Sequence, residues 1–187
     1  MKIYIKYMVS LRCRLVVKNA LEELNMKYYN INLGEVDLVE APTPEVLNQF
    51  REKILRSGLV LIDDRQSIIV EKIKSLIIEM VHYTDEMPRV NLSDYLANKI
   101  QTEYHKASAL FSKVTGTTIE HFFILHRVER AKELLLYDEL NLSEIAYRLH
   151  FSSVAHLSNQ FKKITGLSPT LFKSLNSFKG RKNLEDL

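Results

Sequence analysis

One cysteine, Cys13, stands in 187 residues, so neither a disulfide framework nor a four-cysteine zinc site can form within the chain. No charged-then-apolar leader opens it, since Lys2 and Lys6 flank a short alternating run. Long apolar stretches are also missing. The longest, Ile68 to Val81, is broken by Glu71, Lys72, Lys74 and Glu79 and does not read as a membrane span. The six histidines (His82, His105, His121, His126, His150 and His156) form no His-Glu-x-x-His, and there is no glycine-rich phosphate loop or nucleophile elbow. These absences set aside a secreted disulfide scaffold, a membrane protein and the common enzyme classes. They make a reducing cytoplasm the expected setting.

Acid is missing from one particular place. Between Glu144 and Glu185 there is no Asp or Glu, while Arg148, Lys162, Lys163, Lys173, Lys179, Arg181 and Lys182 all fall there. The whole chain carries only +3, but residues 1–86 hold 12 Lys/Arg against 13 Asp/Glu, and residues 87–187 hold 14 against 10. The basic charge is therefore concentrated in the C-terminal half, the footprint of phosphate binding and of double-stranded DNA as a partner. A chain of this length with 46% hydrophobic content suits one or two small domains.

What is present in that half is a repeat. At a constant offset of 50, Asn91-Leu92-Ser93 matches Asn141-Leu142-Ser143, and Asp94 falls on Glu144. Ser108 falls on Ser158, Phe111 on Phe161, Lys113 on Lys163, and Thr115-Gly116 on Thr165-Gly166, with no gap. Asn141 with Glu144 reads as a capping box, and Asn91 with Asp94 as a weaker one. A short helix over about 142–149 and a turn at Phe151-Ser152-Ser153 lead to a helix over 153–164. That helix spaces Val154, Leu157, Phe161 and Ile164 on its buried side and stops at Gly166. Ser168-Pro169 opens a last short helix. Each copy is thus a helix-turn-helix. A longer helix from a Thr117/Glu120 cap to about Leu136 joins them; at ~1.5 Å per residue its span is roughly 28 Å, near the ~34 Å between major-groove faces one turn apart.

Arg130-Ala131-Lys132-Glu133-Leu134-Leu135, then Leu142-Ser143-Glu144-Ile145-Ala146, Phe151, Phe161-Lys162-Lys163, Thr165-Gly166 and Ser168-Pro169 resemble the signature of the AraC/XylS regulators over residues 87–178. The resemblance implies that the second helix of each unit meets DNA. In the first unit the implied contacts are His105, Lys106, Ser108, Ala109 and Lys113. In the second they are Val154, Ala155, His156, Ser158, Asn159, Lys162 and Lys163. The family often has Gly before the aromatic of the turn, where this chain has His150. Asn159 and Ala109 stand at a position where arginine is frequent; asparagine still reads adenine, whereas alanine offers only methyl contact. The lysines read as phosphate contacts rather than base readers.

The first 62 residues have another rhythm. Ile3, Ile5 and Tyr7 alternate as a strand, and Val17, Ala20, Leu21 and Leu24 follow at helical spacing. Strands at 28–33 and 35–39 meet near Gly34, Thr43-Pro44 opens a helix, and 59–62 makes a last strand. The order βαββαβ predicts an α+β chain that begins with a ferredoxin-like domain. With Met8-Val9-Ser10-Leu11-Arg12-Cys13 in the first strand-to-helix loop, it is similar to the heavy-metal-associated domain of copper chaperones. That family places two cysteines there, and Ser10 stands at the first. The soft-metal site implied, for Cu(I) or a similar ion, then takes Cys13 with Met8, or Cys13 of a second chain. Arg12 and Arg14 and a helix N-terminus favour a reactive thiolate.

Between the halves, residues 63–86 read as a connecting helix capped by Ser67, apolar on more than one face and so in need of two partners. Residues 179–187 form a basic, then acidic, tail. The expectation is a non-enzymatic transcription regulator: a sensing or docking domain (1–62) ahead of a double DNA reader (87–178). RNA polymerase is a candidate partner, and the N-terminal domain or connecting helix a candidate homodimer contact. The alternative is a metal- or redox-handling protein whose helical half docks a protein.

Overall fold

The computed structural model describes residues 1–84, 91–137 and 140–177. The tail expected at 179–187 lies outside the described residues. In chain order the elements are β1 (Lys2–Lys6), α1 (Leu11–Glu23), β2 (Tyr28–Asn32), β3 (Glu35–Leu38), α2 (Pro44–Leu55), β4 (Val60–Ile62) and α3 (Arg65–Ile78). A π-helical stretch, Glu79–Tyr83, continues α3. Then come α4 (Leu92–Ile100), α5 (Tyr104–Thr115), α6 (Ile119–Tyr137), α7 (Leu142–Arg148), α8 (Val154–Thr165) and α9 (Pro169–Ser177).

The chain divides into two compact units: 1–79 with 90–117, and 80–89 with 118–187. This differs from the domain borders expected from sequence. The first helix-turn-helix, α4 and α5, groups with the sheet because the greasy α3 packs against both of its helices.

In the first unit the strands run in the order β2-β3-β1-β4, and every pairing is antiparallel. Ile3 sits opposite Val36 and Ile5 opposite Leu61, which places their side chains together on the buried face. Against that face lie Val17 and Leu21 of α1 and Phe50 and Ile54 of α2. Tyr7, expected in the strand, instead follows it with φ of 69° and is exposed. Gly34 turns β2 into β3 at φ +78°, and a Cβ there would stand 2.5 Å from Ser75 Oγ. A side chain there would make Ser75 turn away, on a backbone conformation that already favours glycine. Val70, Ile73 and Ile77 of α3 are buried, as are Leu96, Ala107 and Phe111 of α4 and α5.

The second unit is built on α6. Val128, Ala131, Leu134 and Leu135 form one core with Ile145, Leu149, Leu157 and Phe161 from α7 and α8. Burial stabilises by roughly 1.5–3 kcal/mol per large side chain, and such a cluster sets the positions of α7 and α8 against α6.

Three caps differ from the sequence expectation. The cap of α3 is Asp64, whose carboxylate accepts from the Ser67 N–H at 2.8 Å; Ser67 lies inside the helix. α6 starts on Thr118 rather than Thr117, with the Thr118 hydroxyl accepting from the His121 N–H. Asn91 occupies the N-cap of α4 but makes no side-chain cap bond. The Asn141–Glu144 capping box is formed in full.

Candidate nucleic-acid interface

Helix α8 starts at Ser153, whose hydroxyl accepts from the His156 N–H at 3.0 Å, and ends at Gly166 in the left-handed region. Leu157 and Phe161 are fully buried, which fixes the helix rotation. Ala155, Asn159 and Lys162, spaced i, i+4, i+7, are left exposed beside Lys163. Val154, His156 and Ser158 are half-buried. His156 is tied back into the turn: its Nδ1 lies 2.9 Å from Ser152 Oγ, and its ring meets Phe151 edge-on at 5.4 Å. It is therefore a held group at the helix start rather than a free arm.

Helix α5 repeats the arrangement with other chemistry. Ala107 and Phe111 are buried, and His105, Lys106, Ala109 and Lys113 are exposed, with Ser108 half-buried. Its N-cap, where Ser153 stands in α8, is Glu103, which makes no cap bond. The Glu103 carboxylate instead lies 2.9 Å from Lys106 Nζ and 3.5 Å from His105 Nδ1. Two of the expected DNA contacts of the first unit are thus engaged by an acid of the same face.

Helices α5 and α8 end in one device. The Thr115 hydroxyl donates to the Phe111 carbonyl at 2.7 Å and accepts from the Thr117 N–H; the Thr165 hydroxyl does the same with Phe161 and Leu167. Gly116 and Gly166 follow, each at positive φ. In the turn before α8, His150 has φ of 53°, the left-handed conformation glycine adopts at least cost.

Residues outside the expected contact set support the turn before α8. Arg127 is only 6% exposed. Its guanidinium lies 3.6 Å from the centre of the Phe151 ring and 5.0 Å from that of Phe123. Burial pushes its pKa down to about 10, so it stays cationic at neutral pH, held between two aromatic faces. The turn of the second unit is thereby pinned to α6. A signal existed only in part: Phe123 and Arg127 are spaced i, i+4, but Phe151 is not foreseeable from local spacing. His82 and His126 also meet, Nε2 to Nδ1 at 3.2 Å, with Glu133 3.9 Å from the other nitrogen of His82.

At the N-terminal loop, Met8 is 2% exposed within the hydrophobic core, and Cys13 packs against that core from a half-buried position. Ser10 Oγ lies 3.2 Å from Cys13 Sγ. Burial raises the thiol pKa, but the Ser10 hydroxyl and the backbone groups of the helix start outweigh it and leave a net lowering. Among the described residues no three His, Cys, Asp or Glu side chains gather as a metal site. No helix among them is long and apolar enough to cross a membrane.

A family model described as a helix-turn-helix domain matches residues 96–174. The probable transcriptional regulator LumQ of Photobacterium leiognathi is 26% identical over 123 residues, which are 64% of this chain and 47% of that protein. An HTH-type transcriptional regulator of Staphylococcus aureus is 28% identical over 114 residues, 61% of this chain and 14% of its own. The chain thus spans less than half the length of these curated relatives. Among solved structures, the C-terminal domain of AraT, a response regulator from Geobacillus stearothermophilus, is 26% identical with a TM-score of 0.51. That match covers 60% of this chain and 88% of the other. A Chromobacterium violaceum regulator with an AraC-type DNA-binding domain shares the fold at 20% identity and a TM-score of 0.52, covering 61% of this chain and 96% of its own. Residues 96–174 thus match a helix-turn-helix domain family, and this part of the chain shares the fold of these solved regulators.

Proposed function

We propose that the chain is a sequence-specific DNA-binding transcription regulator, with α5 and α8 entering major grooves and the N-terminal domain sensing a ligand or docking a partner. The observation that carries this is the exposed face of α8. Asn159, Lys162 and Lys163 stand on it with Ala155, and the buried side of the helix is locked by Leu157 and Phe161. An asparagine suited to adenine, flanked by lysines suited to phosphates, is a readout-plus-anchor set. The 19 residues of α6, roughly 28 Å at ~1.5 Å rise, support reading of successive grooves. The antiparallel order β2-β3-β1-β4, with α1 and α2 on one face, supports a ferredoxin-like N-terminal domain. RNA polymerase and a second copy of the chain remain the proposed protein partners.

Selection of bound sites from random duplexes, followed by footprinting, tests the reading. A single chain should protect an asymmetric site across about two major grooves, with affinity falling steeply as salt rises. Binding with no sequence preference overturns it.

A further inference from the structure

The first unit carries a partly open cavity of about 340 Å³, at the small end of the range for metabolite sites. Its walls come from four parts of the chain: Tyr4 of β1, the β2–β3 hairpin, one side of α3 with Glu79 just beyond it, and Lys99 of α4. Leu33 and Leu76 supply apolar wall. Four charged groups line it, Glu35, Glu79, Lys72 and Lys99, and the acids and bases differ in what already answers them.

The Glu35 Oε1 accepts from Lys2 at 3.2 Å and from Asn32 at 3.4 Å, and Lys2 also reaches Asp37 at 3.4 Å. The Glu79 carboxylate pairs with Arg14 at 3.6 Å. Lys2 is thus shared between Glu35 and Asp37, Glu35 Oε2 is buried without a hydrogen-bond partner among the described residues, and Glu79 is paired with Arg14. Lys72 and Lys99 have no carboxylate within 4.0 Å among the described residues, although Glu71, the neighbour of Lys72, is held by Lys74 at 2.6 Å. Two lysines on different helices thus stand against one half-answered carboxylate, and the balance of charge at the cavity is positive.

We infer that this cavity is a binding site for a small organic anion, a carboxylate or phosphate monoester whose short carbon skeleton rests on Leu33 and Leu76. Lysine serves such groups as a mobile point charge. An anion shared by Lys72 and Lys99 ties α3 to the first helix of the first DNA reader, so occupancy restrains the placement of α4 and α5. This names the ligand class for the sensing role proposed above and rests on that reading for its consequence, though not for the binding itself.

Isothermal titration of the full chain decides the matter. Succinate and 2-oxoglutarate probe for carboxylates, and inorganic phosphate and glucose 6-phosphate for phosphates, with glucose and 1,4-diaminobutane as neutral and cationic controls. At least one anion is expected to bind saturably at millimolar concentration or below, and neither control is. The Kd should rise about tenfold or more in Lys72→Gln and in Lys99→Gln, and stay unchanged in the double variant Lys162→Gln/Lys163→Gln. The arm that responds identifies the source of the anion. Failure of all four anions, equal binding of a control, or loss that follows Lys162 and Lys163 instead overturns the site. Duplex binding by the ligand-free chain, measured on the same preparations, separates the two readings: anion binding without any duplex preference keeps the site and removes the regulator.

Discussion

Helices α7 and α8 each begin on a side chain that accepts from their own backbone, Asn141 and Ser153, whereas α4 and α5 begin on Asn91 and Glu103, which make no such bond. The difference extends to the exposed face. In α8 the lysines have no carboxylate partner among the described residues and stand beside Asn159; in α5 Lys106 is taken by Glu103, and Ala109 occupies the asparagine place. A repeat that aligns in sequence without a gap has thus diverged in its exposed chemistry and caps more than in its helix layout. The second copy is organised from within, through caps and the Phe151–Arg127 stack. The first depends on α3 for its burial and offers fewer groups able to specify a base.

The comparison breaks most visibly at Asn159. Replacing it with Ala should cost roughly 1–3 kcal/mol of binding and relax preference at one base pair. Lys163→Ala should weaken all sequences alike and lower the salt slope by about one. Binding-site selection with salt titrations separates the two, and identical profiles would show that α8 is not the reader.

Next in size is Arg127→Ala, which removes packing and a cation from between two rings and should destabilise the second unit by about 2 kcal/mol. Arg127→Met keeps the packing and should lose less. Thermal unfolding followed by circular dichroism gives the ranking; equal losses would deny the stack its role.

Smaller again is Glu103→Ser, which copies Ser153 into the first unit. Exposed ion pairs contribute about 0–1 kcal/mol, so the release of Lys106 and His105 should tighten duplex binding only a few-fold and steepen its salt dependence. Weaker binding would mean that Glu103 itself takes part in recognition.

The smallest effect is one of pH and belongs to the second unit alone. Burial, aided by the neighbouring His82, pushes the His126 pKa down from 6.5 to about 4. His82 is lowered too, chiefly by burial and further by Arg130, with Glu133 and Glu129 opposing. The unfolded chain then takes up these protons more readily than the folded one. Stability is complete above pH 6.5 and declines as pH falls toward about 4. The slope should be shallow, because both rings keep partial contact with water, and His126→Gln should flatten it in urea titrations across that window.

Much of the reader was legible because its signals are local. The Asn141–Glu144 box, the Ser153 start, Gly166 and the apolar spacing of α8 all lie within a few residues of what they determine. What was hidden involves partners far apart in sequence. His82 meets His126 across 44 residues, and Arg127 needs Phe151 from another element. The cavity gathers the first strand, a hairpin and two helices. The cap of α3 was misplaced for a different reason: Asp64 and Ser67 are both good capping residues, and only the backbone shows which of them stands outside the helix. The grouping of α4 and α5 with the sheet was not readable either, since an apolar helix announces that it needs partners without saying which.

The paired threonine clips carry an engineering consequence. Thr115 and Thr165 close their helices with the same bonds at the same offset, and each is followed by a left-handed glycine. The exits are standardised joints, so residues 141–166 form a cassette of the same length as 91–116. A chimera bearing that cassette twice keeps both exit geometries without insertion or deletion. Its operator should carry the same half-site twice, a direct repeat in place of two unlike words.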